Sequence, residues 1–217
     1  MSSFPGSPHI IKGGIVLIDP ESSAVKSIIT LQFNPDTLTR TLQVKGVGGE
    51  GGGNRSEALR LTGPPVETLK LEVEIDATDQ MEAGDALTAN VGIQPQLSVL
   101  ETIVYPSSTQ LIANNSLSRA GTIEIIPMET ALTLFIWNKN RIIPVRITEF
   151  NITEEAFDPN LNPIRAKVSL GMRVLSVDDL EFAHKGGALF MSYQQNKERL
   201  ASLFRQGNLG TLGINSI

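Results

Sequence analysis

Residues 131–175 read ALTLFIWNKNRIIPVRITEFNITEEAFDPNLNPIRAKVSLGMRVL. Three runs here are rich in β-branched and large apolar residues and are bounded by turn chemistry, the pattern of consecutive strands. The first, Ala131–Trp137, ends at Asn138-Lys139-Asn140, a short polar connection suited to a hairpin. The second, Arg141–Phe157, alternates, with Val145, Ile147 and Glu149 expected on one side and Arg146, Thr148 and Phe150 on the other. The third, Pro163–Leu175, alternates more regularly. Ile164, Ala166, Val168, Leu170, Met172 and Val174 make an apolar face, and Arg165, Lys167, Ser169 and Arg173 a cationic one. A long strand with one apolar and one charged face belongs in an antiparallel sheet that packs on one side and meets water or a partner on the other.

The same logic extends toward the N-terminus. His9–Asp19 reads as a strand bent at Gly13-Gly14, and Val25–Phe33 as a second strand stopped by Asn34-Pro35-Asp36. Thr37–Val44 is a third, with Leu38, Leu42 and Val44 toward one face. Glu67–Ile75 alternates strictly, with Leu69, Leu71, Val73 and Ile75 inward and Lys70, Glu72 and Glu74 outward. Between them lies Lys45–Pro65, a glycine-rich stretch of the kind that is functional or disordered in compact domains.

One internal helix is expected at Pro95–Val104, where Leu97, Leu100, Ile103 and Val104 recur at helical spacing after a proline suited to the first turn. Residues 76–92 read as an acidic loop, Tyr105–Thr122 as a polar linker, and Ile123–Ile126 as a short extended piece. Ser176 and Asp179 have capping-box spacing at a helix entry. A C-terminal helix, Ala188–Gln206, carries Leu189, Tyr193, Leu200, Leu203 and Phe204 as a stripe and ends at Gly207. The fold class is therefore mainly β: an antiparallel sandwich or open barrel of roughly six to eight strands with one internal and one C-terminal helix.

Composition narrows the function. The chain has 217 residues, 41% of them hydrophobic and 19% charged, which suits one folded core and excludes wholesale disorder. Cysteine is absent, which removes disulfides, thiol nucleophiles and thiolate metal sites. A net charge of −5 argues against a nucleic-acid partner. No apolar run reaches membrane-helix length and the N-terminus lacks a secretory pattern, so a cytoplasmic chain without direct membrane insertion is expected.

No catalytic constellation stands out, and no enzyme, cofactor or metal is expected. Gly46-Val-Gly48-Gly-Glu-Gly51 formally fits a dinucleotide-binding pattern, but no helix opens at its third glycine; a nucleotide-binding domain using this loop is the alternative of a different class. Asp76, Asp79, Glu82 and Asp85 lack calcium-loop spacing. The adjacent pairs Glu154-Glu155 and Asp178-Asp179 point apart, and His9 and His184 belong to no metal-ligand spacing.

Two stretches carry a resemblance. Phe150–Leu170, FNITEEAFDPNLNPIRAKVSL, is similar to the C-terminal signature of the tube-type proteins of contractile injection systems, phage-tail-like machines that drive an inner tube through a target membrane. Leu31-Gln-Phe-Asn-Pro35 followed by Thr39-Arg40 resembles the same family's opening strand pair, and with looser similarity between them the resemblance covers roughly residues 9–205. It implies a structural subunit whose sheet joins those of other copies in a hexameric ring around a channel. Its partners would be the spike hub protein, tube subunits and other baseplate proteins, within a phage-tail-like particle.

The expected organisation is a flexible arm at 1–8, a tube-like β domain at 9–175 with a mobile glycine-rich loop at 45–65, a helical extension at 176–207 and a tail at 208–217. A main tube subunit of this family is shorter, so the extension favours a baseplate-proximal tube initiator joining hub to tube. Such adaptors often carry a LysM module, but the residues after Leu175 read as a single helix. A terminator or cap, or a main inner-tube subunit, is the alternative. The candidate subunit-interface residues are Trp137, Arg165, Lys167, Arg173, Leu189, Tyr193 and Phe204.

Overall fold

The structure, a computed structural model, describes residues 10–46, 60–119, 130–205, 207–214 and 216. Its strands are β1 (Gly14–Ile18), β2 (Val25–Thr30), β3 (Leu38–Gln43), β4 (Val66–Asp76), β5 (Leu132–Asn138), β6 (Arg141–Phe157) and β7 (Pro163–Val174). They form one antiparallel sheet of seven strands in the order β2-β1-β5-β6-β7-β4-β3, with the meander β5-β6-β7 at its centre. The expected mainly-β antiparallel class with a C-terminal helix is what the chain adopts. His9, residues 47–59 of the glycine-rich stretch, and Ile123–Ile126 lie outside the described residues.

The sheet is curled. Laid flat, β2 and β4 would sit roughly 24 Å apart, five strand spacings. Instead Gln32, just past β2, uses its side-chain amide as a strand would: Oε1 accepts from Asp76 N at 3.0 Å and Nε2 donates to Asp76 O. The curl encloses the main core of Ile15, Ile29, Leu69, Leu71, Val73, Phe135, Val145, Val168, Leu170 and Met172. Because strand side chains alternate, the opposite face of β1 and β5 carries Ile18, Leu132 and Leu134, which Leu175, Leu180 and Leu189 cover as a second apolar cluster. That is why β5 is apolar at almost every position.

The range expected for β6 holds, but the side chains change face along it. Ile147 pairs with Met172 and Glu149 with Gly171, so Thr148 is an extra residue, a β-bulge. Beyond it Phe150 and Ile152 stand opposite Leu170 and Val168 and pack on the core, while Glu149 faces out. The strict alternation expected through Phe150 is corrected by one bulged residue. Gly171 is the counterpart of this bulge, since a Cβ there would lie 2.7 Å from the Glu149 Cβ. With no side chain between them, Lys70 of β4 reaches across Gly171 to Glu149 at 2.9 Å.

The helices differ most from expectation. Besides α3 (Gln94–Glu101), which supplies Leu97 and Leu100 to the core, the chain forms α1 (Thr78–Glu82), α2 (Ala86–Val91) and α4 (Ser108–Arg119). The acidic loop and the polar linker are thus largely helical. Capping accounts for two of these: the Asp85 carboxylate accepts from Thr88 N at 2.8 Å, and Ser107 and Gln110 form a reciprocal capping box at the start of α4. α4 buries none of its residues, so apolar periodicity could not reveal it.

The C-terminal helix α5 runs from Lys185 to Ser202. Its buried line is Gly186, Phe190 and Tyr193, and its two glycines let it seat closely, since a Cβ on Gly187 would lie 2.2 Å from the Glu181 carbonyl oxygen. Phe190 and Tyr193 enter the same core as the sheet. The expected stripe is split: Leu189 packs in the second cluster, whereas Leu200, Leu203 and Phe204 project from the helix end into solvent.

Candidate functional site

Four features stand out from the scaffold: the turn between β6 and β7, a buried polar cluster beneath α5, the polar face of β7, and the C-terminal extension.

The β6–β7 turn is held by Asp158. Its Oδ1 accepts from Asn160 N at 2.7 Å and Asn162 N at 2.8 Å, and Oδ2 from Asn162 Nδ2 at 2.9 Å. Asn162 Nδ2 also donates to Asn90 O at 3.0 Å, and Ile93 N donates to Pro163 O at 2.8 Å. The end of α2 therefore braces the turn, and Gly92 at φ 59° allows the approach, since a Cβ there would lie 2.1 Å from the Pro163 carbonyl oxygen. Leu161 at the tip has φ 64° and is 77% exposed. A left-handed conformation costs a non-glycine residue roughly 1–2 kcal/mol.

The buried cluster converges on Glu67, which is 3% exposed. Its carboxylate accepts from Arg40 Nε at 2.9 Å, Tyr193 Oη at 2.9 Å and Lys197 Nζ at 3.1 Å. The Lys197 ammonium also lies 3.9 Å from the centre of the Tyr193 ring. Burial by itself would raise the Glu67 carboxyl, but Lys197, Arg40 and Tyr193 outweigh it and hold it below its ordinary range. Burial, and then the neighbouring Glu67 charge, push the Tyr193 hydroxyl up. Strands β3 and β4 and helix α5 are thereby tied at one point. The sequence does signal this: Glu67 is in phase with the inward residues Leu69 and Leu71, and Arg40 with Leu38 and Leu42.

The cations of β7 share one face, and each has an acidic partner in the chain. Arg165 Nε lies 2.7 Å from Asp76 and 3.9 Å from Glu74, Lys167 Nζ 2.9 Å from Glu155, and Arg173 Nη2 2.6 Å from Asp179. Trp137 is half-buried at the core rim beside Phe135, their ring centres 6.0 Å apart. Tyr193 is buried and Leu189 half-buried, whereas Phe204 is 76% exposed. The structure thus gathers Arg165, Lys167 and Arg173 on one surface and does not bring the other four to it.

Two residues of the opening motif act in ways its spelling does not disclose. Gln32 fastens β2 to β4, and Asn34 bonds Gly13 N at 2.9 Å and Ile11 O at 2.8 Å. Asp179 Oδ2 accepts from Ser176 N at 3.0 Å, but Ser176 Oγ accepts from Asp178 N at 3.2 Å rather than from Asp179 N; these bonds close a turn ahead of α5, which is capped by His184 Nδ1 accepting from Gly186 N at 3.0 Å. Among the described residues no group of three or more histidine or acidic side chains could hold a metal ion, and no helix is long and apolar enough to cross a membrane. Asp76 and Asp85 are engaged with Thr78, Arg165 and Thr88. The strands flanking the glycine-rich stretch are antiparallel neighbours, continued by a Gly46–Leu61 bridge, whereas a dinucleotide site needs a helix joining parallel strands.

No protein with a curated description matches the sequence. A family model described as contractile injection system tube protein matches residues 15–181, most of the chain and the whole of the sheet from Ile15 onward. With that match and an antiparallel sheet around the signature strands, the chain belongs to the contractile injection system tube protein family and is a structural component of such a machine.

Proposed function

We propose that this chain is a non-enzymatic, ring-forming adaptor that joins the spike hub and baseplate to the inner tube, in a homo-hexamer whose neighbours are the hub, tube subunits and other baseplate proteins. The observation that carries the ring is that β2 and β3, the two outer strands, have no partner on their outer edges among the described residues. Open edges are a liability in a soluble chain, and cyclic closure with other copies removes it. The adaptor position is supported by the residues after 181, which lie beyond the family match and carry the exposed Phe182, Leu200, Leu203, Phe204 and Leu212. In this arrangement Leu189 and Tyr193 seat α5, and Phe204 meets the next component. Arg165, Lys167 and Arg173 exchange or share their acidic partners with a neighbouring copy, and Trp137 stiffens the rim of the sheet.

The test is cryo-electron microscopy of purified particles. Six copies between spike and tube are expected, whereas six copies at the opposite end would make the chain a terminator. Because α5 is part of the core, the informative truncation removes only residues 203–217. That variant is expected to keep the wild-type melting temperature and to be lost from the particle.

A further inference from the structure

We propose that the free end of α5, together with the β5–β6 turn, is the docking surface for an acidic protein segment that carries apolar residues among its carboxylates. The proposal rests on the adaptor reading above and names the chemistry of the component that Phe204 meets. The buried line of α5, Gly186, Phe190 and Tyr193, leads on to Lys197, which bonds Glu67 at 3.1 Å. One turn further it reaches Leu200, and past the helix end come Leu203 and Phe204; all three are exposed. Among the described residues they belong to neither apolar cluster, so the helix outruns the core that its earlier turns cover. Leu42, which stands opposite Glu67 in the β3–β4 pairing, is exposed as well.

The charges at this end oppose those of the whole chain. Arg199 Nη2 lies 3.3 Å from Asn140 Oδ1, which sets the end of α5 against the β5–β6 turn with its Lys139 and Arg141. Strand β3, the first residues of β4, that turn and the chain from Tyr193 to Arg205 hold the cations Arg40, Lys139, Arg141, Lys197, Arg199 and Arg205. The same segments hold two carboxylates, Glu67 and Glu198, in a chain whose net charge is −5. Glu67 is already shared by Arg40 and Lys197. Among the described residues Lys139, Arg141, Arg199 and Arg205 form no ion pair, whereas every cation of β7 has one. Unpaired cations around exposed aliphatic and aromatic side chains fit a partner of the inverse pattern, carboxylates around an apolar centre. A nucleic acid or an anionic bilayer extends past this patch and meets the negative charge of the rest of the chain, so a compact acidic protein surface is the occupant the charges favour.

Charge reversal tests this in cells that lack the native chain. Both Arg199 and Arg205 are exposed, so R199E/R205E is expected to melt with the wild type, while its recovery in purified particles falls about tenfold or more. R199K/R205K is expected to be recovered like the wild type and R199Q/R205Q less well, since charge rather than shape is read. Adding D79K/E82K, at the other end of β4, is expected to leave R199E/R205E excluded. Restored recovery there would make the occupant a second copy and overturn the proposal, as would co-sedimentation of the wild type, but not of R199E/R205E, with phosphatidylglycerol vesicles. If R199E/R205E enters particles normally while the variant lacking residues 203–217 does not, the acidic partner is wrong and the adaptor reading stands. A chain absent from all particles would overturn both.

Discussion

Two sets of ion pairs in this protein use the same chemistry in opposite surroundings. Beneath α5, Arg40 and Lys197 converge on Glu67, whose side chain is 3% exposed. On the outer face of β7, Arg165 and Lys167 pair with Asp76 and Glu155 while remaining 44% exposed. Distances in the two sets are alike, so geometry does not rank them; solvent does. Removing a buried carboxylate leaves its two cations without a counter-charge, whereas the partners of an exposed pair are readily replaced by water. The first set should hold the fold, and the second should be free to serve another chain.

The largest effect is expected from E67Q. It leaves Arg40 and Lys197 without their counter-charge and removes the main tie between β4 and α5, so a loss of about 3–5 kcal/mol is expected in urea unfolding. A loss no larger than that of an exposed pair would show that the cluster does not hold α5. The same carboxylate sets an acid response. Its folded pKa lies below the unfolded value, so its contribution is complete above roughly pH 4.5 and drains away as pH falls through the folded value. Wild-type stability should therefore drop on that acid limb more steeply than that of E67Q.

Y193F is the next step down. It removes one donor to a charged acceptor while leaving the ring in the core, and about 1.5–3 kcal/mol should be lost. Protection of α5 amides from hydrogen exchange would fall with it, and unchanged protection would refute the tie. G171A tests the packing of the outer face. Its Cβ would stand 2.7 Å from the Glu149 Cβ, so the bulge must shift, at about 1–3 kcal/mol by thermal melting.

The contrast also marks what could be read from the sequence. The central meander was legible, down to the ends of β6, because long alternating runs between turn residues admit few other conformations. The change of face at Thr148 was not, since a bulge is settled by the partner strand's register and by the vacancy at Gly171. α1, α2 and α4 were hidden because none of them carries an apolar stripe. The cations of β7 were visible as a face, but their partners lie up to 89 residues away in Asp76. Glu67 stands in the inward phase of β4 with Leu69 and Leu71, but a carboxylate in that phase does not by itself name the cations that would pair it.

The smallest expected effect on the fold is the most informative about assembly. In R165Q/K167Q both exposed pairs are lost while the apolar face of β7 is untouched, so the urea midpoint should match the wild type within error. If these side chains only decorate a wet surface, incorporation into particles will also be unchanged. If a neighbouring copy borrows them, the monomer will be indifferent while ring formation weakens, more so at low salt where the wild-type pairing is strongest. An exposed pair contributes little to folding because water competes for both partners; exclusion of that water at a subunit boundary is what would make the same pair count.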